Sequence, residues 1–339
     1  VDGEIIKQLS IWEQPLQGIR DLEAILPPLP TLEEYFSPYH QYQGNSSRCA
    51  VFSLSINKTA EGPKSFTGDI VFQEWDGNRS HIHTIKAIGP DGLGGEVISA
   101  DPYAVLPIWT YEREDVLSIY PLDRENIDLL FGKIKISKAG MYCGNNNFYG
   151  RIKWANQFEI ITIRMDEQES TAFHPQIVLW QVHECAVSQI VYEEHAADRF
   201  ADPDYSVDGN VVFTRIAGGK KKIFEFSPAN GIVKLIGEGF GSSWSPDGTQ
   251  FVFTGNDGLY ISDGEGKSIQ KAIDLTAYYP VEDGAIVWDA WPPMAVWSPD
   301  GRFLLYHRKD GGTYDLVKFQ LSTKIETVIF QGGMYPDWK

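Results

Sequence analysis

The tetrapeptide Ser-Pro-Asp-Gly occurs twice, each time directly after a tryptophan and just before an alternating apolar run. The first copy runs from Gly241 through Trp244, Ser245, Pro246, Asp247 and Gly248 into Phe251-Val252-Phe253. The second runs from Met294 through Trp297, Ser298, Pro299, Asp300 and Gly301 into Phe303-Leu304-Leu305-Tyr306. A degenerate third copy lies at Pro203-Asp204-Tyr205-Ser206-Val207-Asp208-Gly209. Proline presets φ at the second turn position, Asp bonds its own backbone, and Gly accepts a positive φ. Each copy therefore reads as a β-hairpin, with a tryptophan strand entering and a period-two strand leaving.

Spacing converts hairpins into an array. Tyr205 to Trp244 is 39 residues, Trp244 to Trp297 is 53 and Trp297 to Trp338 is 41. These are the periods of propeller blades. Met334-Tyr335-Pro336-Asp337-Trp338 starts another repeat without its hairpin partner, so it needs a partner strand elsewhere in the chain.

The Pro-x-Trp-Ser-Pro-Asp-Gly pattern resembles the TolB-type, WD-repeat-like propeller family, strongly over 202–339 and weakly over 48–201. The resemblance implies four-stranded antiparallel blades around a channel, and a role as a binding platform in bacterial envelopes. The N-terminal arm is too short to be the α/β domain of TolB itself, so a Tol-system role is not implied. In such rings the first and last segments often share a blade, and closure removes exposed sheet edges. Strand 334–338 is accordingly expected to join a first blade built from Arg48–Ile56, Asp69–Trp75 and Ser80–Ile85. Upstream aromatics at Trp109 and Trp154 keep the interval, at 45 residues between them and 51 to Tyr205. The expected fold is an all-β, six-bladed propeller, with blades at about 48–88 plus 334–339, 103–140, 150–193, 202–240, 241–293 and 294–333. Residues 1–47 are expected to form a partly helical arm, broken at Pro27-Pro28-Leu29-Pro30, with a capping-box spacing at Thr31–Glu34. Its apolar residues, Trp12 among them, either pack on the ring's outer wall or bind a partner chain.

The chain carries 29 basic and 46 acidic residues, a net charge of −17. Such a chain is repelled by phosphate backbones, which argues against a nucleic-acid partner, and the run Lys220-Lys221-Lys222 reads as a solvated turn. No apolar run is long enough to span a bilayer. The start at Val1 fits removal of a signal peptide or anchor as well as it fits a trimmed chain, and an extracytoplasmic location, in the periplasm or at the cell surface, is expected. Cys49, Cys143 and Cys185 show no zinc spacing. They form either one disulfide and one free thiol or three buried thiols. Sequons at Asn45, Asn57 and Asn78 matter only in a glycosylating host.

Catalytic constellations are missing from the sequence. There is no Gly-x-Ser-x-Gly elbow, no sialidase-type Asp box and no phosphate-cradling glycine loop. Two loops remain as candidates. Glu194, Asp198, Asp202 and Asp204 bring hard oxygen ligands close together in sequence, a composition that suits Ca²⁺. Their spacing matches no calcium loop, so a solvated acidic loop is the favoured reading and no cofactor is expected. The insertion that stretches one interval to 53 residues holds Tyr278, Tyr279, Trp288, Asp289 and Trp291. Aromatics and carboxylates on a rigid loop suit recognition of a protein or a saccharide, while the competing reading is that the rings plug the channel. Isolated histidines such as His307 read as satisfied core or surface positions. The expected function is a non-catalytic binding or scaffold subunit with a protein partner. The rival is a carbohydrate-active hydrolase or lyase using Asp202, Asp204, Glu282, Asp283 or Asp289.

Overall fold

The structure is a computed structural model that describes residues 69–75, 83–99, 105–109, 116–121, 131–136, 141–166, 174–182, 184–194, 199–288 and 292–339. All belong to the compact unit Ser47–Lys339. The expected arm at 1–47, with Trp12, lies outside them, as does the strand expected at Arg48–Ile56. Among the described residues every regular element is a β-strand.

The first blade is a four-stranded antiparallel sheet ordered Gly333–Trp338, Ile70–Trp75, His83–Ile88, Glu96–Ser99. The C-terminal strand pairs with Ile70–Trp75, Ile70 facing Trp338 and Glu74 facing Gly333. Closure thus runs through the last strand, as expected, and among the described residues the fourth strand of this sheet is Glu96–Ser99.

Three further four-stranded blades follow the repeat spacing. They are Arg199–Tyr205 to Ile232–Glu238, Phe240–Trp244 to Ile269–Asp274, and Val296–Trp297 to Ile325–Gln331. A two-stranded ribbon, Val281–Glu282 with Ala285–Ile286, rises from the long insertion.

The expected count of six blades is corrected to five. The segments assigned to two separate blades, 103–140 and 150–193, form one seven-stranded sheet from Val105–Trp109 to Ala186–Glu193. The cause is the 14-residue strand Met141–Trp154. Its middle pairs on both sides at once: Phe148 and Tyr149 face Gly132 and Phe131 on one edge, and Arg164 and Ile163 on the other. With both edges hydrogen-bonded, the sheet does not divide where the aromatic spacing put a boundary. Both Val105–Trp109 and residues 151–154 still turn inward, so six strand segments surround the axis of a five-bladed ring.

The core sits between neighbouring blades, where inward-facing alternate residues of adjacent sheets interdigitate. Ile70, Phe72 and Ile88 of the first blade meet Val296, Leu305 and Leu316 of the last. Val212 and Ile223 meet Trp244, Phe251 and Phe253 across the next seam.

The Ser-Pro-Asp-Gly copies are turns held by their own side chains. Ser245 Oγ donates to Asp247 Oδ1 at 2.6 Å, the Thr249 N–H donates to the same oxygen at 3.1 Å, and Gly248 has φ 70°. Ser298 and Asp300 repeat the bond at 2.6 Å, with Gly301 at φ 68°. The Ser298 hydroxyl, with the Arg302 backbone and side chain, holds the Asp300 carboxyl down to about 2.

Candidate functional site

Five of the six inner segments carry an irregularity at the same place, three residues before the aromatic; Val296–Trp297 pairs without one. The pairing ladder slips between Val105 and Ile108, Tyr149 and Lys153, Ala201 and Asp204, and Phe240 and Ser243. The slip opposite Val71–Gln73 falls between Met334 and Asp337. These are β-bulges, which re-aim side chains and recur beside functional centres. The residues so placed include Leu106, Asp202, Gly241 and Tyr335, with φ of 53°, 50°, 65° and 48°. A left-handed φ on a residue with a side chain costs about 1–3 kcal/mol. Proline follows at 107, 203 and 336, where it bars the ordinary helical conformation for the residue before it.

Leu106 and Tyr335 at bulges, with Met294 at the matching place of the sixth segment, belong to one buried cluster. Leu106, Arg151, Asp202, Met294 and Tyr335 are all buried. The Asp202 carboxylate accepts the backbone N–H groups of Arg151 and Gly241, one from the segment before its own and one from the segment after. Arg151 Nη2 donates across the axis to Pro336 O at 3.4 Å. A Cβ on Gly241 would lie 3.0 Å from Met294 Cγ, so glycine is what lets Met294 close the ring there. The Tyr335 N–H donates to Nδ1 of the fully buried His307 at 3.3 Å, and the rings meet edge to face at 4.8 Å.

A second layer lies two residues further along each strand. Asp204 accepts from the Trp244 N–H at 2.8 Å and from its neighbour Tyr205 at 2.8 Å. Asp337 stands in the equivalent position and accepts from the Trp109 N–H at 3.1 Å. In both cases a carboxylate just before one aromatic caps the aromatic of the following segment. Lys153 occupies the same position in its own strand and reaches Asp337 Oδ1 at 3.5 Å.

Burial dominates the electrostatics. It raises the Asp202 carboxyl above the ordinary value of 3.8, against the pull of Arg151, and raises Asp204 likewise. Burial also lowers the Lys153 ammonium, with Arg151 adding to the effect and Asp337 and Asp204 opposing it. A carboxyl with a raised folded pKa holds its proton more tightly in the folded state. Stability therefore falls as pH rises from about 3.8 through that raised value. Urea midpoints measured between pH 4 and 8 should show this decline, and it should be shallower in Asp202→Asn. An unchanged slope in the variant would show that Asp202 titrates alike in both states.

The expected metal candidates do not come together. Glu194 pairs with Arg215 at 3.1 Å and accepts from the Tyr192 hydroxyl at 3.1 Å. Asp202 and Asp204 are committed to backbone N–H groups at the axis, and Asp198 lies outside the described residues. Among the described residues no group of three or more His, Cys, Asp or Glu is poised around a common point.

The insertion divides in the same way. Tyr279 is buried and accepts from the Lys309 N–H at 3.1 Å. Tyr278 lies under the Arg308 guanidinium at 4.1 Å. Trp288 is half-buried, edge to face with Tyr279 at 4.9 Å and with Phe240 at 6.0 Å. Asp289 and Trp291 lie outside the described residues. Trp288 borders a groove of about 260 Å³ together with Lys220, Lys221, Glu238, Phe240 and Asn256. This groove is at the N-terminal ends of the inner strands, opposite the Ser-Pro-Asp-Gly turns that follow their C-terminal ends.

Sequence reasoning missed Arg151, Lys153 and Asp337 at the axis and the lysine run at the groove. The x-Pro-x-aromatic strings at 106–109, 202–205 and 335–338 could have pointed to the bulges. Cys185 is disulfide-bonded, which selects one of the two cysteine readings.

No protein-family model matches the chain, and no curated protein matches it. Solved structures do. TolB from Acinetobacter baumannii aligns at 15% identity with a TM-score of 0.37, covering 78% of this chain and 53% of that one, so the chain spans about half the length of that protein. The nidogen/laminin complex aligns at 10% identity and a TM-score of 0.49, covering 76% and 91%. Oligogalacturonate lyase from Vibrio parahaemolyticus aligns at 9% identity and a TM-score of 0.45, covering 75% and 92%. Likenesses at this level concern the ring architecture, and their names span a protein complex and an enzyme.

Proposed function

We propose that the chain is a binding propeller of an extracytoplasmic assembly, without a catalytic centre, and that it recognises a protein partner through the end of the ring bearing Trp288. One observation carries this reading: the buried carboxyls at the axis, Asp202 and Asp204, are held by backbone N–H groups rather than left open toward a ligand. Small-molecule chemistry calls for a concave site with convergent, available polar groups. Asp202 and Asp204 are occupied by backbone N–H groups, while Glu282 and Asp283 stand exposed at the tip of a two-stranded ribbon. A glycosidase instead needs two carboxyls about 5–10 Å apart across a groove. The disulfide at Cys185 supports an oxidising, extracytoplasmic location, where such bonds persist.

The test places a photo-crosslinking amino acid at position 288 and, as a control, at position 249 on the opposite end, in the chain's native cells. A discrete crosslinked protein from 288 and none from 249 is the expected result. Trp288→Ala should then weaken the purified pair by about 2–4 kcal/mol, the range of a central aromatic anchor. Identical crosslinking from both ends would overturn the assignment of the face. Turnover of any polysaccharide by the purified chain would overturn the non-catalytic reading.

A further inference from the structure

The run Lys220-Lys221-Lys222 is the densest positive charge in a chain of net charge −17. It lies on the hairpin between Val211–Ala217 and Lys220–Ser227. The turn is Gly218-Gly219, both at positive φ, and an added Cβ at either would meet open space. That geometry carries Lys220 and Lys221 to the groove beside Trp288. Lys221 is placed rather than free-swinging: its ammonium sits over the Phe240 ring, 4.3 Å from the centroid. Phe240 in turn is buried against Trp288.

The remaining polar side chains of the groove are unspent. Among the described residues, Lys220, Glu238 and Asn256 make no side-chain hydrogen bond or ion pair. The groove therefore offers two ammonium groups, that of Lys221 also drawn to the axial Asp202, with one carboxylate, one carboxamide and the half-covered ring of Trp288. A carboxamide matches the donor and acceptor of a peptide group, and a carboxylate accepts a peptide N–H. Two ammonium groups match a carboxylate in charge, and the indole supplies apolar contact area. At about 260 Å³ the groove is smaller than the ~300–1,000 Å³ of drug-sized sites, and it suits one side chain with its flanking backbone.

We infer that this groove binds an acidic residue, Asp or Glu, of an extended peptide segment whose adjacent apolar side chain rests on Trp288. This deepens the reading of that end as the recognition face and rests on it. An acidic partner approaching this acidic chain is repelled except where a basic patch receives it, so the lysines also determine where an acidic segment docks.

The test titrates the full chain with acetyl-Leu-Glu-Leu-amide and with its Gln analogue, following the indole N–H resonance assigned through Trp288→Phe. The Glu peptide is expected to saturate with a dissociation constant on the order of 1 mM, as small probes of single subsites do. The Gln peptide should bind at least tenfold more weakly, and so should the Glu peptide to the Lys220→Ala/Lys221→Ala variant. Lys267→Ala, an exposed lysine elsewhere, should leave binding unchanged. Equal affinity for the two peptides, or an unchanged affinity in the double variant, would overturn the inference. A digalacturonate that saturates the resonance while neither peptide does would also overturn it, in favour of a saccharide. Failure here with crosslinking from position 288 intact would remove the acidic-segment inference alone; loss of that crosslink would remove the face itself.

Discussion

A chain shortened to end at Gly332 is expected to lose cooperative unfolding altogether. The missing strand Gly333–Trp338 is the innermost strand of the first blade. It buries Met334 and Tyr335 and packs Trp338 against the seam with the last blade. Burial of side chains this large stabilises by about 1.5–3 kcal/mol each, and three of them approach the roughly 5–15 kcal/mol that separates folded from unfolded domains. Two further losses follow. The Trp109 N–H and Lys153 lose Asp337, and Ile70–Trp75 loses its neighbour and becomes an open edge, which invites pairing with other chains. Thermal and urea unfolding followed by tryptophan fluorescence would check this, with aggregation monitored by light scattering. A synthetic peptide of residues 333–339 added in trans should restore part of the transition. A sharp transition near the full-length midpoint, without peptide, would show that closure through this strand is dispensable.

What the sequence made legible was local, and what it hid was set by the ring as a whole. Ser245, Asp247 and Gly248 make their bonds within five residues, so proximity in the chain suffices to read them. The closing strand was legible for a related reason, since an unfinished repeat announces a missing partner. The blade count was not. Whether 103–140 and 150–193 separate depends on Phe148 and Tyr149 pairing on both edges, and a period of 45 residues between Trp109 and Trp154 is the same whether the sheet divides or not. The axial ion pair of Lys153 and Asp337 was hidden more deeply. Lys153 and Asp337 lie 184 residues apart, and only their equivalent places before an aromatic relate them. Reading Asp202 and Asp204 as a loop cluster failed for the same reason: a bulge at the axis turns each carboxylate onto a neighbouring segment's backbone.

That observation recasts the aromatic insertion. Of the rings expected to form a recognition surface, Tyr279 is spent on packing and on the Lys309 backbone, and Tyr278 is covered by Arg308. Rings at the base of the loop therefore pack into the fold, while Trp288 stays half-buried. Support of this kind is what a binding surface needs, since a ring fixed by edge-to-face neighbours loses little entropy when a partner lands on it.

Asp202→Ala is expected to destabilise the protein by about 4 kcal/mol, the scale of leaving two buried N–H donors without their acceptor. The carboxyl joins three consecutive inner segments through the N–H groups of Arg151 and Gly241. Removing it strands two buried donors, at about 1–3 kcal/mol each. Alanine at a φ of 50° adds the strain that Asp tolerates better. Comparing variants separates these contributions. Asp202→Gly relieves the backbone while still lacking an acceptor, so it should recover about 1 kcal/mol relative to Ala. Asp202→Asn keeps one acceptor oxygen and should fall between Gly and the parent. Arg151→Met in each background completes a double-mutant cycle, in which residues in contact give coupling of about 0.5–3 kcal/mol. The gap between Ala and Gly reads the strain, the gap between Gly and Asn reads the acceptor, and the coupling reads how far the Arg151 charge acts on Asp202. An Asp202→Ala protein within 1 kcal/mol of the parent in urea would show that the axis is held by its apolar members, Leu106, Met294 and Tyr335. The lower layer built on Asp204 and Asp337 would then be the polar tie between neighbouring segments.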